Sequence, residues 1–356
     1  MDYRYTKINN IYVCRSTNHI MLLVICALVP GIIVECYYFK IAILIQVLLS
    51  VISSIIFEFI FQKLQKEKLY INFFDVSSIL TGVLLGLSLP AFSPWWISII
   101  GAFFSIIVTK KLYGGLGNNI FNPAMSGYAI LLISFPIIMT NWSFQNNLEI
   151  LNMFSIRDIM SIIFFTNLED YYEIISRFCE ASMFITQATP LEHIRIHNKN
   201  SIISVSPVVF SLDNFLIYRH WILINISFLF GGVFLLIKKI ICWRISCSIL
   251  LCLIIFYSID FFYLKHVQIF PLIQLFLGST MIGAFFIATD PVTTSITKIG
   301  RIIFGSFIGI LIWIIRNFGG YPDAIAFSVL LSNSIVPLID YYTQPRIYGK
   351  NKKWFL

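Results

Sequence analysis

IMLLVICALVPGIIVECYYF, the run Ile20–Phe39, decides what kind of chain this is. A helix needs about 20 predominantly apolar residues to cross a bilayer, and this run reaches that length. A polar, basic stretch, MDYRYTKINNIYVCRSTNH, precedes it, and no small-residue cleavage site follows. It is therefore read as a retained membrane helix rather than a signal peptide. Nine further apolar runs lie at 41–62, 76–92, 95–109, 123–140, 221–237, 246–264, 267–289, 302–315 and 324–339. That makes ten candidate spans.

The composition agrees. Of 356 residues, 58% are hydrophobic and 12% are charged, against about 25% charged in a soluble domain. So few charges could not solvate the surface of one soluble core that large. The expected fold is an all-α polytopic membrane protein. The seven cysteines contain no C-x-x-C: Cys26, Cys36, Cys247 and Cys252 sit inside apolar runs, and Cys14, Cys179 and Cys242 are scattered. No four-thiolate iron–sulfur or zinc site is expected within the chain. The net charge of +8 reports first which loops stay in the cytoplasm, and no nucleic-acid partner is expected.

With the N-terminus in the cytoplasm and the spans alternating, 17 of the 25 basic residues fall inside and 11 of the 17 carboxylates outside. Five of the eight outer basic residues belong to one long segment, 141–220, whose charge hardly counts for orientation. Both termini are expected to be cytoplasmic, with the basic tail RIYGKNKKWFL inside. The chain then divides into a first membrane half at 1–140, a non-cytoplasmic loop at 141–220 between spans five and six, and a second half with its tail at 221–356. Within the loop, Ile159–Phe165 is too short to cross and reads as an interfacial or folded-back helix.

The halves share a weak internal pattern. LTGVLLGLSLP and GAFFSIIVTKKLYGGLGNNIFNPA in the first answer LGSTMIGAFFIATDP and GSFIGILIWIIRNFGGYPDAIAF in the second. Each has a run ending at a proline (Pro90, Pro291), a Gly-started helix, a basic residue (Lys110, Arg316) and a Gly-Gly pair (Gly114–Gly115, Gly319–Gly320). Five spans per half give two inverted repeats, and the helices Ile97–Thr109 and Ile302–Ile315 read as short. Short, interrupted helices at matching positions point to a site near the midplane. The bland reading is ordinary small-residue helix packing.

Few ionisable groups lie near the membrane. Asp75 opens span three and Asp290 closes span eight in ATDP; both are candidates for electrostatic roles in ion coupling, weighed against a helix cap for Asp75 and an Asp-Pro turn for Asp290. Glu58, within span two, reads as snorkelling or paired, and Asp340 ends span ten. KKLYGGLGNNIFNPA lacks the order of a P-loop and reads as a re-entrant or unwound turn, tolerated at membrane depth only when packed in protein. In the outer loop, TQATPLE at Thr186–Glu192 makes a capping box, with Thr189 as N-cap, Pro190 at the first helical position and Glu192 beyond. A helix N-terminus is also where a phosphate is well held.

Taken together, these stretches resemble one family from end to end: RSTNHIMLLVICALVPG at Arg15–Gly31, DVSSILTGVLLGLSLP at Asp75–Pro90 and KKLYGGLGNNIFNPAM at Lys110–Met125. TQATPL at Thr186–Leu191, MIGAFFIATDPVTTS at Met281–Ser295 and FGGYPDAIAFSVLLSN at Phe318–Asn333 continue the match. The chain is similar to the D subunits of Rnf-type ion-translocating electron transport complexes, relatives of the B subunit of the sodium-pumping quinone reductase. The resemblance implies FMN joined through a phosphoester to Thr189, the last threonine of the motif, with Gln187 standing where the general pattern has glycine. A second, non-covalent flavin is possible in such a protein. The resemblance further implies a multi-pass protein of the bacterial inner (cytoplasmic) membrane with the Thr189 loop on the periplasmic side. It also implies partner subunits A, B, C, E and G, a flavin transferase for maturation, and electron transfer coupled to H⁺ or Na⁺ movement. With neither a nucleotide domain nor a cysteine cluster, the chain is expected to be inactive alone. A flavin-free channel or transporter and an unflavinylated scaffold subunit are the alternatives.

Overall fold

The computed structural model describes residues 16–65, 75–140, 142, 155–165, 191, 212–264, 271–321 and 324–345. Among these all regular structure is helical. Helix α1 (Thr17–Phe39) starts at Ser16, whose hydroxyl accepts the His19 N–H at 3.3 Å. It ends at Lys40, a non-glycine residue at φ 54°, where the backbone turns directly into α2 (Ile41–Leu64). Asp75 caps α3 (Val76–Ser88), as its position suggested, accepting from the Ser77 N–H at 3.1 Å. Helix α4 (Trp95–Phe103) runs on as a wider π-helical stretch, Phe104–Lys111. Next come α5 (Pro123–Ser134), capped by Asn122 with Pro123 in its first turn, and α6 (Pro136–Thr140).

The short run around 159–165 is helix α7 (Ile156–Phe164), which buries Ile159, Ile162 and Ile163 and packs on α2. Ser155 and Asp158 form a capping box at its start, and the Ser155 hydroxyl and N–H hold the Asp158 carboxyl below the usual carboxylate range. The second half has α8 (Leu212–Ile237), then α9 (Trp243–Ile259) with its π-helical end Asp260–Leu264. Short α10 (Pro271–Leu275) precedes α11 (Thr280–Ile282), which continues as π-helix Gly283–Ile287. Long α12 (Lys298–Phe318) and α13 (Ile325–Thr343) close the described part.

Six of these helices are long and apolar enough to cross a membrane: α1, α2, α8, α9, α12 and α13. The protein is a polytopic membrane protein. The other four apolar runs become shorter or broken helices. At 1.5 Å per residue, the 13 residues of α3 reach about 20 Å, short of a hydrocarbon core of roughly 30 Å. The run 123–140 breaks at Phe135, where Pro136 cannot continue the ladder, and 267–289 is interrupted between α10 and α11.

One expectation is corrected. The run 302–315 read as short, yet α12 has 21 residues. Charged ends marked it as truncated, but Lys298, Arg301 and Arg316 all lie within the helix. Arg316 is buried and donates to the Tyr257 hydroxyl at 3.0 Å. By contrast, KKLYGGLGNNIFNPA does unwind: after Lys111 the chain turns through Gly114, Gly115 and Gly117, all at φ between 91° and 105°. That region is open to glycine and strained for other residues.

Helices approach closely through small residues, as membrane interfaces require. Helix α1 lies on α8, α2 on α3 and α4, α9 on α12, and α5 on α13. The Ser50 hydroxyl on α2 donates to the Gly82 carbonyl of α3 at 2.7 Å. Gln46 ties α2 to the turn before α4 by donating to the Ser93 carbonyl, and to α4 itself by accepting from the Ser98 hydroxyl at 2.6 Å. At the α1–α8 contact, a Cβ on Gly231 would strike the Ala27 carbonyl oxygen. Gly231→Ala is expected to cost about 1–3 kcal/mol, the usual penalty for overpacking. Thermal unfolding in detergent reads this; an unchanged transition would mean that α1 and α8 part without cost.

Candidate functional site

Two cavities lie at opposite ends of α1, each walled by both halves of the chain. The first, of about 110 Å³, is lined by Glu35 and Phe39 from α1, by Trp221 and Asn225 from α8, and by Trp142, Leu191 and Gly278 among others. The second, of about 120 Å³, sits between the start of α1 and the end of α8, with Ser77, Lys110, Asn119, Asn122 and Asp290 in its wall. Leu84 lines both.

The second cavity is electrostatically organised. Lys110 is 1% exposed, and its ammonium donates to Glu58 at 3.1 Å, to Asp75 at 2.8 Å, and to the Ser77 and Ser78 hydroxyls at 2.8 Å each. Lys111 reaches the other Glu58 oxygen at 2.5 Å. Two carboxylates thus face two ammonium groups, and the cluster is neutral. The wider π-helical turn brings consecutive lysines toward one acid more closely than an α-helix would. Glu58 is therefore paired; its partners are the two lysines that end the α4 segment, rather than the nearby Lys63.

Asp290 joins this cavity from the other half. Its carboxylate accepts from the Thr293 hydroxyl at 3.3 Å, the compact turn expected of Asp-Pro, and it lines the same space as Lys110. The halves are stitched beside it: Asn122 donates to the Ile287 carbonyl at 3.2 Å. Asn333, with its amide turned to satisfy both neighbours, donates to the Thr293 carbonyl at 3.2 Å and accepts the Asn122 N–H at 3.1 Å. Of the two electrostatic candidates, Asp75 pairs directly with Lys110, whereas Asp290 shares only the cavity wall with that lysine. Asp340 accepts from the Ser295 hydroxyl at 2.5 Å and from the Ile296 N–H, and so anchors the turn before α12.

The first cavity is largely apolar and aromatic. Asn225 fixes its floor: its amide donates to the Trp221, Phe276 and Gly278 carbonyls at 3.1, 2.9 and 2.7 Å, and its oxygen accepts the Met281 N–H at 3.2 Å. Leu191 and Arg316 converge on Gly278, each within 3.0 Å of where a Cβ would stand. Thr189 itself, Gln187 and the rest of TQATPLE except Leu191 lie outside the described residues.

Sequence reasoning missed the buried role of Lys110, which counted as a loop charge, and missed Glu35. An ionisable residue inside the first apolar run was the signal for Glu35, because such residues face a cavity or a partner.

These features define a helical membrane protein whose halves enclose two cavities, one aromatic and one ionic. The sequence profile of the NQR2, RnfD, RnfE family matches residues 10–349, and the chain belongs to that family. A protein of Buchnera aphidicola subsp. Baizongia pistaciae is 55% identical over 345 residues, covering 95% of this chain and 96% of its own. One from Buchnera aphidicola subsp. Acyrthosiphon pisum (strain 5A) is 46% identical over 345 residues, covering 96% and 98%. Another from Erwinia tasmaniensis is 43% identical over 346 residues, covering 95% and 96%. All three are named as the D subunit of an ion-translocating oxidoreductase complex.

Proposed function

We propose that this chain is the subunit of a redox-driven, ion-translocating complex that carries FMN on Thr189 and couples electron transfer to cation movement. The observation that carries the reading is the aromatic cavity between the halves, because Leu191, two residues beyond Thr189, forms part of its wall. Aromatic faces and a buried carboxyl suit a planar, polar-edged ring. A bound flavin supplies one- and two-electron chemistry that no side chain of this chain offers. Thr189 is then an anchor, neither acid, base nor nucleophile.

Five spans per half, the second inverted against the first, accommodate the packing. Elements in like positions meet at the centre, α1 with α8 and α5 with α13. The ionic tie from α2 to α4 has a counterpart between α9 and α12. There Tyr257 receives Arg316, and Asp260 accepts from Trp313 at 2.6 Å and Asn317 at 3.2 Å. In this topology segments 1–140 and 221–356 are the membrane halves and 141–220 is the periplasmic loop. The bacterial inner membrane is the setting, and both termini are cytoplasmic. The remaining subunits and a flavin transferase complete the machine, and donor oxidation belongs to those subunits.

Cation coupling draws on the ionic cavity. Charge added nearby by electron transfer changes the affinity of neighbouring sites for a cation, and Asp75 and Asp290 are the groups placed to respond. In membranes carrying the assembled complex, Asp75→Asn and Asp290→Asn are expected to lower cation movement per electron transferred. Normal pumping together with normal electron transfer in both variants would remove these residues from the mechanism. Thr189→Val should halt electron transfer while the complex still assembles; undiminished electron transfer would favour the scaffold or transporter reading.

A further inference from the structure

Among the described residues that line the aromatic cavity, Glu35 stands out for a buried side-chain oxygen left without a partner. It is 7% exposed, and its Oε2 is fully buried with no hydrogen-bond partner among the described residues. Among the described residues it has no ion-pair partner either: Lys110 and Lys111 account for every salt bridge there. A membrane-embedded carboxyl is costly, the more so when one of its buried oxygens has no hydrogen-bond partner. Such a cost persists when something offsets it.

Four polar groups that line the cavity with it are engaged elsewhere. Asn225 spends its amide on three carbonyls and a backbone N–H. The Trp142 indole donates to the Met139 carbonyl at 3.1 Å, the Thr140 hydroxyl to Pro136 at 2.8 Å, and the Ser88 hydroxyl to Leu85 at 2.7 Å. The wall is thus largely apolar and aromatic, with one carboxyl whose buried oxygen has capacity left. A group entering this space needs flat faces for the rings and an edge that both donates and accepts. The pyrimidine edge of an isoalloxazine ring has an N–H flanked by two carbonyls and meets that description. A lipid tail has no such edge.

We propose that Glu35 is the hydrogen-bond partner of a flavin ring seated in this cavity, fixing the ring's orientation and hence its potential. The inference rests on the reading that Thr189 carries the flavin, since the tether would enter the cavity beside Leu191. Glutamine keeps both a donor and an acceptor at this position, whereas leucine keeps only the volume.

The test uses the full-length chain matured with a flavin transferase, as wild type, Glu35→Gln, Glu35→Leu and Ala326→Leu. The last narrows the same cavity without touching the carboxyl; Ala326 is 3% exposed and lines it. Denatured samples report covalent attachment by in-gel fluorescence. Native samples report ring environment by fluorescence quenching and by flavin midpoint potential. The expected result is equal covalent labelling in all four. In native samples, Glu35→Leu and Ala326→Leu should be several-fold brighter with a shifted potential, and Glu35→Gln should stay near wild type. Equal labelling with native fluorescence and potential unchanged in Glu35→Leu would overturn the proposal, whether or not Ala326→Leu responds, and leave the attachment reading intact. No covalent label on the wild type, alongside a labelled control from the same cells, would overturn both.

Discussion

Lys110→Met is expected to destabilise the protein by about 3–5 kcal/mol, the cost of breaking a buried ion pair from one side. The lysine donates to Glu58, Asp75, Ser77 and Ser78 within 3.1 Å. Methionine fills nearly the same volume, so the loss is electrostatic and not a cavity. Lys111 would remain on Glu58, but Asp75, at the first turn of a short helix, would keep only its cap to Ser77. The damage should therefore concentrate where α3 meets α4. Unfolding in detergent, followed by the reactivity of introduced cysteines near Val76, reads it. The double variant Lys110→Met, Asp75→Asn should recover part of the loss, because removing both charges relieves the orphaned carboxylate. A single variant as stable as wild type would mean that the cluster is solvated and cannot organise the cavity.

That cluster explains what the sequence revealed and what it hid. Helix α1 was legible because its run is uniformly apolar and the structure adds only Thr17–His19 at its start. The glycine turn after Lys111 was legible because three glycines so close together suit little else. Helix α12 was not, since charged residues at both ends looked like loop, and only tertiary partners such as Tyr257 let Arg316 stay inside. The ionic site was hidden for a related reason. Glu58 and Asp75 stand 52 and 35 residues from Lys110, and nothing local announces that they meet. Lys110 and Lys111, counted as positive-inside charges, have their ammonium groups turned into the protein.

Thr189→Val is expected to have the other large effect if the proposed attachment holds: complete loss of covalently held flavin. Valine matches threonine in shape and lacks the hydroxyl that a phosphoester requires, so the substitution separates attachment from packing. It also separates two roles of the same residue. An N-cap lost costs about 0.5–2 kcal/mol, a modest change in stability with no optical signature, whereas an anchor lost removes every trace of bound chromophore from the denatured chain. Gln187 stands where the general motif has glycine, and Gln187→Gly offers a companion variant that should label at least as well as wild type.

The most direct measurement is in-gel flavin fluorescence of the denatured protein, co-expressed with a flavin transferase, for wild type beside Thr189→Val. A fluorescent wild-type band that is absent from the variant is the predicted result and places this chain on the electron path. A dark wild-type band, next to a control protein labelled in the same cells, would contradict it and favour the capping-box reading of the Thr189 sequence.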